Sequence, residues 1–151
     1  MKAFTLLETL LVFVLIAIMT LLAVPSINSF LLIHRTTEIT TRLTLALQFA
    51  KLEAIRRHEI VTIYPSDNSN WNKGQIIIAN KKILRVLPAL PQNITLTWQS
   101  SLGKNNYLQF APTGFTNGQQ GSFYICSSDT GRTIIINHSG RIRTTQSNTC
   151  H

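Results

Sequence analysis

Hydrophobic and polar positions divide the chain into three stretches with different periods. Residues 4–24, FTLLETLLVFVLIAIMTLLAV, form a run of 21 residues with Glu8 as its one charged member. At about 1.5 Å of rise per residue such a run makes a helix roughly 31 Å long, close to the ~30 Å hydrocarbon core of a bilayer. It reads as a membrane-spanning helix. The apolar region of a secretory signal peptide is shorter, about 7 to 15 residues, and no clean small-residue cleavage site follows Val24. After Pro25 the apolar residues thin out but keep a helical period, with Leu43, Leu47, Ala50 and Ala54 on one face. Arg42, Lys51, Glu53, Arg56 and Arg57 fall largely off that face, and neither Gly nor Pro interrupts residues 26–58. The two segments therefore predict one long rod, bent at Pro25 where a backbone donor is missing. From Ile60 the period becomes two, with β-branched and aromatic residues between turn signals. Strands are expected over 60–64, 75–79, 83–87, 94–99, 107–110, 122–126, 133–137 and 141–145. Loops are expected at 66–70, 88–91, 100–106, 112–121 and 127–131. The pattern is that of an α+β protein, a long N-terminal helix packed on a small β domain.

Glu8 needs an explanation, because a carboxylate within a membrane helix costs about 2.5 to 3.5 kcal/mol even on lenient insertion scales. Nothing in the helix offers a partner cation, and a free α-amine made by cutting before Phe4 would suit. An ordinary signal anchor with a stray Glu is the plainer reading of the same residues. Lys2-Ala3 ahead of Phe4-Thr5-Leu6-Leu7-Glu8 resembles the class III leader of type IV pilins and type II secretion pseudopilins. The resemblance implies that a prepilin peptidase cuts between Ala3 and Phe4, that Glu8 serves filament assembly, and that Pro25 sits at a usual kink. Ala3 stands where the family usually has Gly, and the leader is shorter and less basic than most. The segment LALQFAKLEAIRRHEIVTIYP is similar to the corresponding part of the FimT and GspH group of minor pilins and pseudopilins.

Charge narrows the partners. The chain carries a formal net charge of +8, and from Lys73 onward Asp129 is the one acid among Lys73, Lys81, Lys82, Arg85, Lys104, Arg132, Arg141 and Arg143. Such a field favours polyanions, whether nucleic acid or an anionic membrane surface, although a merely soluble basic surface has the same composition. Cys126 and Cys150 are the two cysteines, an even count in a domain expected to face an oxidising compartment. A bridge between them is expected, worth about 3 kcal/mol in the chain-entropy model. A metal site of Cys126, Cys150 and His151 lacks tight ligand spacing.

Candidate chemistry is sparse. His34, His58, His138 and His151 stand in no metal-ligand spacing, and the sequence contains no nucleophile elbow or phosphate-cradling glycine loop, so no catalysis and no cofactor are expected. In Gly140-Arg141-Ile142-Arg143 the arginines are two apart on an expected strand, so both point to one face while Ile142 turns to the core. They are placed to hold adjacent phosphates with planar forks of donors. Spacing alone equally fits two solvated arginines that guard an edge strand. With Thr133-Ile134-Ile135-Ile136-Asn137 before it, the quartet resembles the GRxR motif of FimT-type minor pilins, which in naturally competent bacteria bind DNA for uptake by the type IV pilus. The Phe110-Ala111-Pro112-Thr113-Gly114 turn, Cys126 and the C-terminal hairpin belong to the same resemblance.

The expectation is a minor pilin with a leader at 1–3, a membrane and assembly helix at 4–25 and a periplasmic domain at 26–151. It would be single-pass in the bacterial inner membrane, later in a pilus or pseudopilus, and would bind duplex DNA without sequence preference through Arg141 and Arg143. Lys104 is the next candidate, followed by Lys81, Lys82, Arg85 and Arg132. Two rivals share the fold: a structural pseudopilin at the tip of a type II secretion pseudopilus, and an assembly initiator that binds no DNA.

Overall fold

The computed structural model describes residues 5–67, 69–103, 106–128 and 130–147, with the side chains of 21–29 outside the description. Ala3, Phe4, Lys104 and Cys150 therefore lie beyond the described residues, as do the Pro25 side chain and the bend expected there.

The rod is α1, Leu6–Arg57, a single helix of 52 residues. Thr5 caps it from an extended conformation, its Oγ1 accepting the Glu8 amide at 3.3 Å, so that one of the unpaired first-turn donors is satisfied. In the first half Leu6, Leu7, Leu10, Phe13 and Met19 are all exposed in the isolated chain. Among the described residues no helix is long and apolar enough to cross a membrane. Residues 21–24, which complete the apolar run of the sequence, are not among those whose side chains are described.

The second half of α1 buries the expected stripe of Leu43, Leu47, Ala50 and Ala54 and extends it to Ile39 and Ala46. Two threonines also face inward: Thr36 and Thr40 are buried, yet each donates its hydroxyl to the carbonyl four residues back, at 2.9 and 2.7 Å. Such back-bonding satisfies the hydroxyl inside the helix, so a polar residue can occupy a core position. The helix ends at His58, in the left-handed conformation, whose N–H reaches the Ile55 carbonyl. At this end Glu53 accepts from both Arg56, at 2.8 Å, and Arg57. Those hydrogen bonds, first from Arg56 and then from Arg57, hold its carboxyl at about 2 against an ordinary 4.5.

Among the described residues eight strands follow, in the order and near the positions expected. They are β1 (Val61–Asp67), β2 (Asn70–Ala79), β3 (Lys82–Leu87), β4 (Thr95–Ser100), β5 (Leu108–Phe110), β6 (Gly121–Cys126), β7 (Gly131–Ile136) and β8 (Ile142–Ser147). They form two antiparallel four-stranded sheets, ordered β3-β2-β1-β5 and β4-β6-β7-β8, and α1 packs on β1 and β5 of the first and on β6, β7 and β8 of the second. The sheets meet where β2 approaches β4, joined by the Leu96 amide donating to Asn72 Oδ1 at 2.6 Å. Trp71 and Trp98 flank Phe123 at the seam, with ring centroids 5.0 and 4.5 Å away.

The first hairpin is longer than expected. Residues 66 and 67 continue β1 and Asn70 opens β2, where the run of polar residues had suggested a loop. Pro65 is accommodated because the register shifts between it and Asp67, and Asn70 Oδ1 accepts the Asn72 amide to hold the turn.

Candidate nucleic-acid interface

Strand β8 is an outer strand of the second sheet, with β7 on its one paired side. Ile136 lies opposite Ile142 and Ile134 opposite Thr144, so residues 142 and 144 share the core-facing surface with two buried isoleucines. Arg143, opposite Ile135, is on the other surface, and Arg141 precedes it by one period. Both are exposed, and Ile142 between them is half-buried against the core. Their Cα atoms are about 7 Å apart along an extended chain. Across the sheet the same outer surface carries Ile135, Ser122 and Gln99 in one row and Thr145, Thr133, Tyr124 and Thr97 in the next. None of these is acidic, and among the described residues neither arginine has an ion-pair partner.

The turn that delivers the arginines is fixed from three sides. Gly140 donates to the Asn137 carbonyl at 2.8 Å and Asn137 to the Arg141 carbonyl at 3.1 Å, a three-residue hairpin loop that ends in the left-handed region. Gly140 has φ +68, and a Cβ there would lie 2.0 Å from the Gly114 carbonyl oxygen, so both conformation and space require glycine. The Gly114 carbonyl belongs to the loop at 111–118, whose Thr116 donates its amide and its hydroxyl to the His138 carbonyl at 2.9 and 3.2 Å. Lys51 of α1 completes the support: its Nζ donates to the Gly140 carbonyl at 2.9 Å and reaches that of Ser139 at 3.5 Å.

The other candidate bases among the described residues do not join this surface. Arg132 lies opposite Gln146, on the α1-facing surface of the same sheet. Lys81 sits in the β2–β3 turn, and Lys82 and Arg85 lie on β3, the outer strand of the other sheet. Arg85 places its guanidinium 5.5 Å from the centroid of the Phe49 ring. Phe49 and Lys51 point about 160° apart around α1, at about 100° per residue, so β3 and β8 flank opposite sides of the helix. Lys51, Thr116 and the Gly114 carbonyl were absent from the sequence-based site. The spacing of Lys51 marked it only as a residue off the apolar stripe, and a contact spanning 89 residues leaves no local signal. Among the described residues no group of three His, Cys, Asp or Glu is placed to hold a metal. Cys126 ends β6 and is not a free thiol.

A long helix whose second half packs across two antiparallel sheets defines a pilin-like protein. The family described as Type II transport protein GspH matches residues 40–140, two thirds of the chain, and the chain belongs to that family of minor pilins and pseudopilins. Among curated proteins no match is found. Among solved structures the chain is similar to the type IV minor pilin FimU of Pseudomonas aeruginosa, in one crystal form with a TM-score of 0.63 at 22% identity over 76% of this chain and 99% of that one. It is also similar to the minor pseudopilin EpsH of the Vibrio cholerae type 2 secretion system, with a TM-score of 0.59 at 11% identity over 74% of this chain and 97% of that one. At these identities the likeness is one of fold.

Proposed function

We propose that this protein is a minor pilin that binds DNA through backbone phosphates, with Arg141 and Arg143 as the grip, and serves DNA uptake in natural transformation. The observation that carries the reading is the pair itself: two exposed arginines on one surface, with no ion-pair partner among the described residues, on a turn held by Lys51 and the 111–118 loop. An arginine fork binds phosphate bidentately without reading the base, so recognition is sequence-independent. Lys104, outside the described residues, is a further candidate, whereas Lys81, Lys82 and Arg85 are left out of the grip by their place on the far sheet.

The same reading includes a prepilin peptidase cut between Ala3 and Phe4, Glu8 pairing with the α-amine of a neighbouring subunit, and anchoring of residues 4–25 in the inner membrane with 26–151 in the periplasm. The apolar residues exposed along the first half of α1 support it, since a contiguous surface of that kind calls for lipid or other subunits. A Cys126–Cys150 bridge belongs to it too. Ser147 is level with Gly131 and Gly131 with Cys126, a gap of about 9.6 Å across two strand spacings, which the three residues from Ser147 to Cys150 can span. A structural role in a secretion pseudopilus is the second reading, favoured by the family description and by the likeness to EpsH.

The test is binding of the full-length protein, in a neutral detergent, to unrelated duplexes over a salt series. If about three to five phosphates are neutralised, log K falls against log salt with a slope of roughly −3 to −4.5, and R141Q/R143Q lowers that slope by about 2 while the fold survives. Equal binding by the folded double variant removes the arginines from the mechanism. No binding by the wild type moves the assignment to the pseudopilin.

A further inference from the structure

An aromatic side chain stands exposed beside the turn that leads into Arg141. Phe115 is the one aromatic residue of the 111–118 loop and is 45% exposed, whereas Gly114 before it and Thr116 after it are buried. The exposure is built in, because the backbone on both sides of the ring is committed. The Phe115 carbonyl accepts the Ala111 amide at 2.8 Å, and the Thr116 amide donates to the His138 carbonyl at 2.9 Å. The ring meets the imidazole of His138 with centroids 5.8 Å apart and planes at 54°, an oblique contact that steadies it and leaves much of its surface open. His138 is itself exposed, on the turn that ends at Gly140.

Lone exposed apolar residues are ordinary on protein surfaces. Phe115 differs in its company. Two hydrogen-bonded backbone steps, Thr116 to His138 and Asn137 to Arg141, separate it from the first arginine, about 10 Å at one strand spacing each. Residues 111–118 and 137–143 together contain no acid. A pinned, open ring beside guanidinium groups is the combination suited to single-stranded nucleic acid, where cations follow the backbone and bases stack on aromatic faces.

We propose that Phe115 is a stacking platform for one base of a single-stranded DNA whose phosphates lie on Arg141 and Arg143. The inference rests on the DNA-binding reading and adds the form of DNA that the site is shaped to take. Phosphate contacts alone do not separate single strand from duplex, since both present the same backbone groups. A base within a duplex is already stacked on both faces, so the ring gains nothing from it. An unpaired base offers a free face, and every base has one, so sequence independence is kept. Spacing agrees: at about 3.4 Å per nucleotide in a stacked strand, roughly three nucleotides cover the distance from ring to Arg141, and fewer do once the strand is drawn out. The fixed loop also lowers the cost of ordering the ring on binding.

The experiment measures fluorescence anisotropy of the full-length protein in neutral detergent with three labelled probes: a short oligothymidylate, an abasic strand of the same length and a blunt duplex. The wild type should bind the oligothymidylate at least about fivefold more tightly than the abasic strand. Phe115→Ala should abolish that preference, leaving the abasic strand, the duplex and the salt slope as they were, because no cation is lost. Phe115→Tyr should keep the preference, and Phe115→Leu, apolar but without a ring, should lose it, with circular dichroism confirming the fold of each. R141Q/R143Q should instead weaken all three probes and lower the slope. Equal wild-type affinity for the oligothymidylate and the abasic strand, or a preference retained in folded Phe115→Leu, overturns the stack and leaves the phosphate grip standing. A wild type that binds none of the probes removes the stack and the DNA-binding reading together.

Discussion

Lys51→Met separates a clamp from a phosphate contact. The Lys51 ammonium donates to the carbonyl of Gly140, a buried residue, at 2.9 Å, and methionine keeps the stem and its packing while deleting the donor. Hydrogen bonds to charged groups contribute about 1.5–3 kcal/mol, and partial solvent access to the ammonium lowers that figure to about 1–2 kcal/mol here. A loss of that size moves the melting temperature of a chain of 151 residues by about 2–8 °C. The turn then loses its tie to α1, and Arg141 and Arg143 must be ordered on binding, so DNA affinity should fall about three- to tenfold. The decisive assay is a double-mutant cycle by fluorescence anisotropy at low salt, where residual binding stays measurable. Lys51→Met is compared in the wild-type background and in R141Q/R143Q. A clamp acts only through the arginines, so the second comparison should show little change, a coupling of about 1 kcal/mol. An equal loss in both backgrounds refutes the clamp, because it would mean that the Lys51 charge acts on DNA by itself.

Gly140→Ala places a methyl 2.0 Å from the Gly114 carbonyl oxygen at φ +68 and should destabilise the fold by about 2–3 kcal/mol, read by chemical denaturation. Lys81→Gly should do the reverse: Asn80 and Lys81 both have positive φ in the two-residue β2–β3 turn, the conformation that favours Asn-Gly, so a gain of about 0.5–1 kcal/mol is expected with DNA affinity nearly unchanged. Glu53 makes stability pH-dependent. Its folded pKa of about 2 lies below the ordinary 4.5, so its contribution is full above 4.5 and is lost as pH falls from there towards 2. Melts at pH 7 and pH 3 should differ less in Glu53→Gln than in the wild type, by a small amount because Arg56 is well exposed.

Local periodicity carried most of the architecture. The 3.6-residue stripe at Leu43, Leu47, Ala50 and Ala54 and the period-two runs from Ile60 each report a face that must be buried, and burial is where side-chain type and secondary structure agree. What escaped was set by long-range contact. Polar composition at 66–70 suggested a loop, but the hydrogen bonds of a hairpin extend strands through residues of any type. Burial of Thr36 and Thr40 beside the apolar stripe has no sign in residue type, because it depends on back-bonding to the helix carbonyls. The arginine pair was legible from a spacing of two, whereas its support by Lys51 and Thr116 depends on how α1 and the 111–118 loop close on the turn.

The clamp also bears on the plainest rival account of the arginines, that they guard an exposed strand edge. Charged residues on an outer strand discourage pairing with other chains, and β8 is such a strand. That protection needs charge on the edge and nothing more, so it is indifferent to side-chain direction and tolerant of a mobile turn. The β7–β8 turn is the opposite: one glycine is required by space and φ, one carbonyl takes two bonds from Thr116, and one lysine reaches across from the helix to hold it. Fixing a turn in this way costs conformational freedom that edge protection never requires, and it lowers the cost of ordering Arg141 and Arg143 against a rigid ligand. A pair of lysines in place of Arg141 and Arg143 would guard the edge equally well but would lose the planar fork. R141K/R143K should therefore leave solubility and melting temperature unchanged while weakening duplex binding. Unchanged binding in that variant would reduce the pair to edge charge.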